Sequence, residues 1–345
     1  MPIKVLVVDD SVLMRAKITE LIEKDGDIKV VGSASNGVDA MEKIPRLAPD
    51  VVTLDVQMPR LDGISTLKRI MAECPSRVIM LTGHVTYGGE ETVRALEMGA
   101  IDFVLKPSGS LSLDIDSVAG ELRAKIRAAM QADVKSIALA APAPAPAPAP
   151  AGGALRVVVI GASTGGPRSL SFLLPQIPDS LPASIVVVQH MPAFFTTSFA
   201  GHLDAALAWS VSEGKDGDYL ERGKLVVAPG GNHLDLVREG ERCMLKAVPA
   251  GEVKGPYTPS ISFTMKRAAE IYGGRCVGIL LTGMGDDGVE GLKAIRAAGG
   301  RTIAESEESA IVYGMPKVAA QRGAAEFILP LADIARKLTA LILEA

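Results

Sequence analysis

Five prolines alternate with alanine between Pro142 and Pro150, and the pair Gly152-Gly153 follows. Proline has no N–H and a fixed φ, so this stretch carries neither a helix nor a sheet ladder. It is expected to be an extended, polyproline-type spacer rising roughly 3 Å per residue, ending in a flexible glycine pair. The fold therefore has to be built separately on its two sides. The whole chain has 345 residues, which suits two domains of about 150 each.

Each side shows the same alternation. Short apolar runs recur at Val5-Leu6-Val7-Val8, Lys29-Val30-Val31-Gly32, Val51-Val52-Thr53-Leu54, Val78-Ile79-Met80-Leu81 and Phe103-Val104-Leu105. Such runs suit strands buried on both faces of a parallel sheet. Amphipathic stretches with helical spacing lie between them, as at 12–23 and 38–44. After the spacer, strands are predicted over 156–160, 184–189, 224–227, 277–282 and 301–304. A hairpin is predicted from 234–237 and 243–248 on one sheet edge, and a helix over 332–343. The fold class is α/β, with two doubly wound parallel-sheet domains joined by the Ala-Pro linker. The boundaries are 1–125 for the first domain, 126–153 for a helix end and the linker, and 154–345 for the second.

Composition narrows the function. A net charge of −4 offers no bulk attraction to nucleic acid or anionic lipid. Cys74, Cys243 and Cys276 form no C-x-x-C pair, which fits a reducing cytoplasm and neither a zinc knuckle nor a disulfide framework. The N-terminus is already a strand pattern rather than a signal peptide. No apolar run approaches the roughly 20 residues of a membrane span.

In the first domain, Asp9 and Asp10 follow the first apolar run. Asp55 ends the third, Thr82 the fourth and Lys106 the fifth, just before Pro107. The strand ends of a doubly wound sheet line one crevice. Three carboxylates there call for a cation, and hard oxygen ligands suit Mg²⁺. A lysine and a hydroxyl opposite them suit a transferred phosphoryl group, with an aspartate as its nucleophilic acceptor. Asp9-Asp10-Ser11, Asp55-Val56-Gln57-Met58-Pro59, Thr82 and Lys106-Pro107 resemble a response-regulator receiver domain, a flavodoxin-like fold, over residues 3 to 125. The resemblance implies that Asp55 is the phosphoacceptor. It implies that Asp10 and Asp55 bind Mg²⁺ with the backbone carbonyl of Gln57, supported by Asp9. Lys106 would contact the phosphoryl group, Thr82 would report it, and Phe103 matches the aromatic switch position.

The second domain opens with Val157-Val158-Val159-Ile160 running into Gly161-Ala162-Ser163-Thr164-Gly165-Gly166-Pro167. Strand, tight turn and helix lift a side chain out at the C-terminal edge of a sheet. G-x-S-x-G fits a nucleophile elbow. A phosphate-cradling turn is the rival reading, but G-x-G-x-x-G is absent. The next strand also ends in Gln189-His190, where a dinucleotide site needs an acidic residue. A serine nucleophile needs a base and an orienting carboxylate. His190, at a strand end, and His233, after the turn Pro229-Gly230-Gly231-Asn232, are both candidate bases. His202 sits in a helical pattern. Thr282-Gly283-Met284-Gly285-Asp286-Asp287-Gly288 supplies two aspartates, one to orient the histidine and one to cap the helix. Backbone N–H groups of these turns are candidates for an oxyanion hole.

Those three motifs, in the order Ser, His, Asp, resemble the Rossmann-like catalytic domain of the chemotaxis protein-glutamate methylesterase family, CheB. With the receiver in front, the resemblance covers nearly the whole chain. It implies Ser163 as nucleophile, His190 as base and Asp287 as acid, and no cofactor in the catalytic domain. It also implies a phosphorylation-activated hydrolase that demethylates glutamate residues of methyl-accepting chemotaxis receptors and deamidates receptor glutamines. The unphosphorylated receiver would cover the catalytic face. A chemotaxis histidine kinase is the implied phosphodonor, the location is cytoplasmic, and neither nucleic-acid binding nor membrane insertion is implied. One motif departs from the family. Where many members carry Arg-Pro-Ser, an apolar residue and Asp, this chain has Thr258-Pro259-Ser260-Ile261-Ser262. The lost charges are expected to affect substrate contacts near this loop and to leave the triad untouched.

Overall fold

The computed structural model describes residues 1–83, 89–106, 115–132 and 154–344. The Ala-Pro spacer and Pro107 lie outside the described residues. The chain divides into two compact units, one up to residue 138 and one from 139.

The N-terminal unit runs β1 (Ile3–Val8), α1 (Val12–Glu23), β2 (Ile28–Ala34), α2 (Gly37–Leu47), β3 (Val51–Asp55), α3 (Gly63–Glu73), β4 (Arg77–Thr82), α4 (Gly89–Glu97), β5 (Asp102–Leu105) and α5 (Ile115–Ala129). The five strands pair in parallel in the order β2-β1-β3-β4-β5. Val5 to Val8 and Val51 to Leu54 are fully buried, as expected of strands covered on both faces. Helix starts are set by local chemistry. The side chains of Ser11, Asn36 and Asp62 cap α1, α2 and α3 by accepting a backbone N–H three residues on. The strand order reverses between β1 and β3, so their C-terminal ends open one crevice.

The C-terminal unit runs β6 (Arg156–Ala162), α6 (Gly166–Leu173), β7 (Ala183–Gln189), α7 (Phe195–Ala206), β8 (Ser210–Glu213), β9 (Lys224–Val227), β10 (Asn232–Glu239), β11 (Arg242–Pro249), α8 (Ile261–Tyr272), β12 (Cys276–Leu280), α9 (Val289–Ala297), β13 (Arg301–Glu305), α10 (Met315–Gln321), β14 (Phe327–Leu329) and α11 (Leu331–Leu343). Seven strands form a parallel sheet in the order β14-β13-β12-β6-β7-β9-β8. The first strand of the unit lies in the middle, flanked by β7 and β12. The switch point therefore falls where β6 ends, at Ala162-Ser163.

Two expectations change. The hairpin is present, but β10 and β11 form their own antiparallel sheet rather than an edge of the large one. The reason lies in their alternation of buried and exposed residues. It gives the hairpin one apolar face, which packs against α8 and leaves the other face wet. The edge strands β8 and β14 were not foreseen. They are short and half-exposed, so they lack the continuous apolar run that marks an interior strand.

Candidate active site

Parallel register assembles the C-terminal site. Ala162 of β6 pairs with Gln189 of β7, so the next residues, Ser163 and His190, leave the sheet side by side. On the other flank Leu280 pairs with Gly161, and the Ser163 N–H donates to the Thr282 carbonyl at 3.0 Å. The Gln189 side-chain amide donates to the carbonyls of Ser163 (2.9 Å) and His190 (3.1 Å). Gly165 adopts φ +79°, a left-handed conformation that turns the chain into α6 at little cost for a residue with no Cβ. A Cβ on Gly283 would lie 2.6 Å from that of Ser163, so the two turns pack as closely as glycine allows.

His190 bridges the serine and one aspartate. Its Nδ1 lies 3.2 Å from Ser163 Oγ and its Nε2 lies 3.0 Å from Asp287 Oδ2. Burial opposes ionisation of Asp287. Hydrogen bonds from His190 and Ser262 outweigh it and hold this carboxyl well below the usual carboxylate range. An ionised carboxylate only accepts, so Nε2 carries the ring hydrogen and Nδ1 is left to accept from the serine hydroxyl. The nitrogen that faces Ser163 is therefore Nδ1.

The other candidates fall elsewhere. His233 is buried, accepts the Ser260 N–H at 3.1 Å through Nδ1 and stands edge-on to Phe263. Its Nδ1 faces the backbone that precedes α8, and burial pushes its pKa down. His202 lies within α7. Asp286 is exposed and sits 3.5 Å from Arg322. Gly288, in a left-handed conformation, starts α9 with no side-chain cap, so neither aspartate plays the expected capping role.

The segment 258–262 lies against Asp287, and its backbone holds that carboxylate. The N–H groups of Ile261 and Ser262 donate to Asp287 at 2.7 and 2.9 Å, and the Ser260 hydroxyl lies 3.2 Å from its Oδ1. The start of α8 points its free N–H groups at this carboxylate, as helix N-termini favour. The Ser262 hydroxyl accepts from Gly288 N–H at 2.7 Å. The main-chain contacts leave no mark in the sequence, since any residue except proline would supply them.

In the N-terminal unit, Asp9, Asp10 and Asp55 bring carboxylate oxygens within 4.8 Å of one another. Lys106 Nζ lies 2.7 Å from both Asp9 and Asp55. Burial raises the Asp55 carboxyl above its ordinary value, against the pull of Lys106. Asp10, Asp55, Gln57, Thr82 and Lys106 share one pocket of about 350 Å³. The Gln57 N–H donates to Asp55 at 3.3 Å. Arg15, which the sequence did not single out, donates to the carbonyls of Asp9 (2.7 Å) and Asp10 (3.1 Å) and fixes the turn that presents them. Three clustered oxygen donors with room beside them fit Mg²⁺. Phe103 points into the core, with Lys125 Nζ 5.2 Å from its ring centre.

Comparison with known proteins places these sites in context. Residues 158–338 match the CheB methylesterase family and residues 5–114 match the response regulator receiver domain family. A protein-glutamate methylesterase/protein-glutamine glutaminase of Symbiobacterium thermophilum is 44% identical, over 98% of this chain and 96% of the relative. Its Thermotoga maritima counterpart is 42% identical, over 99% of this chain and 98% of the relative. The crystal structure of the Thermotoga maritima CheB methylesterase catalytic domain superposes with a TM-score of 0.53 at 41% identity, covering 54% of this chain and 98% of that one.

Proposed function

Because the chain belongs to the CheB family of protein-glutamate methylesterases, a receiver domain followed by a methylesterase domain, we propose that it hydrolyses γ-glutamyl methyl esters on methyl-accepting chemotaxis receptors and deamidates receptor glutamines. The observation that carries this reading is the continuous path Ser163–His190–Asp287, at 3.2 and 3.0 Å.

His190 Nδ1 takes the Ser163 proton as Oγ attacks the ester carbonyl. Asp287 holds the opposite Nε2–H and stabilises the imidazolium. Backbone N–H groups of the turns at 163–165 and 283–285, other than those of Ser163 and Gly283, which donate to Thr282 and Val312, hold the oxyanion. Collapse of the tetrahedral intermediate passes the Nδ1 proton to the leaving methoxide and releases methanol. Water, deprotonated by the same nitrogen, then frees the glutamate. For glutamine the leaving group is ammonia.

In the receiver, Asp55 accepts the phosphoryl group from a chemotaxis histidine kinase. Asp10, Asp55 and the Gln57 carbonyl would hold Mg²⁺, with Asp9 in support. The ion supplies charge neutralisation for the transfer. Lys106 moves from its carboxylate partners to a phosphoryl oxygen, and Thr82 reports the group. Phosphorylation raises the hydrolase activity. Domain limits of 1–125 and 154–345 frame the two functions, and the isolated cysteines support a cytoplasmic setting. Methanol release from methylated receptor membranes tests the reading. The Ser163→Ala variant should release none above background, and near wild-type turnover by that variant would refute it.

A further inference from the structure

We propose that Tyr257 is a positioning residue for the hydrolase, its ring stacked on His190 so that the imidazole stays aligned between Ser163 and Asp287. The inference rests on the reading of Ser163 and His190 as nucleophile and base. The two ring centroids are 4.8 Å apart and the planes are within 6° of parallel. Tyr257 is half-buried and is fixed at both ends. At its base the chain continues into the segment whose N–H groups hold Asp287. At its tip the hydroxyl oxygen sits against the backbone of the 285–286 turn. That oxygen lies over Gly285, where a Cβ would come within 2.2 Å of it. The glycine is thus required for the tyrosine to reach its place.

The need for such a contact follows from the hydrogen bonds of the imidazole. Nδ1 and Nε2 are engaged on opposite sides of the ring. Two in-plane bonds fix the position of the ring but leave it free to rock about the line joining them. A parallel aromatic face stops that motion by contact. It also offers its π-electrons to the imidazolium that forms as Ser163 gives up its proton, an interaction absent while the ring is neutral. The benefit therefore falls on the transition state more than on the bound substrate, and should appear in kcat rather than KM.

The test measures methanol release from methylated receptor membranes by the full chain, for Tyr257→Leu, Tyr257→Gln and Tyr257→Phe. The position is half-buried, so Gln provides a second non-aromatic variant that does not depend on Leu folding. Both should lose about tenfold in kcat with KM within about twofold of wild type, whereas Phe, which keeps the ring, should stay within about twofold in both constants. Unchanged kcat in the non-aromatic variants overturns the proposal. So does a loss in Phe as large as in Leu, which would assign the effect to the hydroxyl. Ser163→Ala is run in parallel. Activity in that variant would overturn the underlying nucleophile reading instead, so the two failures are distinguishable.

Discussion

At the residue scale, the proposed chemistry depends on which atom of His190 faces Ser163. Asp287, held ionised by His190, Ser262 and the start of α8, dictates the tautomer. Replacing it by asparagine keeps the shape but allows the amide to donate to Nε2, which would put the ring hydrogen on Nδ1, facing Ser163. Asp287→Asn should therefore lower kcat by roughly 10³-fold or more, measured by methanol release, and lower Tm near neutral pH, measured by thermal unfolding, since the amide NH₂ would face the Ile261 N–H. The same carboxylate ties stability to acid. Its pKa is lower folded than unfolded, so its contribution is present above the usual carboxylate range and is lost as pH falls through the folded value. The need for a serine, a histidine and an aspartate at strand ends was legible in the sequence. The choice of Asp287 over Asp286, and of His190 over His233, rests on positions that adjacent or alternating residues reach only after the turns are folded.

At the element scale, the turn that begins at Thr282 leans on the neighbouring strand β13. Glu305 ends that strand, is fully buried and accepts the Thr282 N–H at 2.8 Å and the Ser309 hydroxyl at 3.0 Å. Burial pushes its carboxyl up to about 7, against these two hydrogen bonds. The unfolded chain ionises this group near 4.5. Between those values the folded state holds the extra proton, so stability falls as pH rises, by up to about 3 kcal/mol across the window. Glu305→Gln keeps the acceptor for Thr282 and cannot ionise. Its Tm relative to wild type should rise steadily from pH 5 to pH 7; a difference that does not vary with pH would refute the buried neutral carboxyl. The interior strands were readable because their apolar runs are continuous. The strands β8 and β14 and the separate hairpin sheet were not, since half-exposed strands take their place from neighbours rather than from their own pattern.

At the scale of the whole molecule, two parallel-sheet units each place their reactive groups at a switch point, one for phosphoryl chemistry and one for acyl transfer. Phosphoryl input should therefore be separable from hydrolytic output. Incubation with a small-molecule phosphodonor and Mg²⁺ should raise methanol release by the wild-type chain several-fold, and Asp55→Asn should abolish the increase. Stimulation that survives in Asp55→Asn would place the acceptor elsewhere. Chelation of Mg²⁺ should also remove the effect.

The sequence by itself determined the two-part α/β organisation. Buried parallel strands need uninterrupted apolar runs wherever they occur, and such runs recur on both sides of the Ala-Pro stretch. It also determined which residue types stand at the strand ends, because those positions follow directly from the runs. The tertiary structure alone decided how these residues meet. The registers of β6 with β7 and β12 set Ser163 beside His190 and Thr282. The start of α8 captures Asp287, and Tyr257 closes over the imidazole. These contacts run between segments as far apart as Ser163 and Thr282, 119 residues along the chain, and are made largely by backbone groups and ring faces. Only the packing of the sheet and its helices fixes such geometry, because the side-chain pattern along the chain does not encode it.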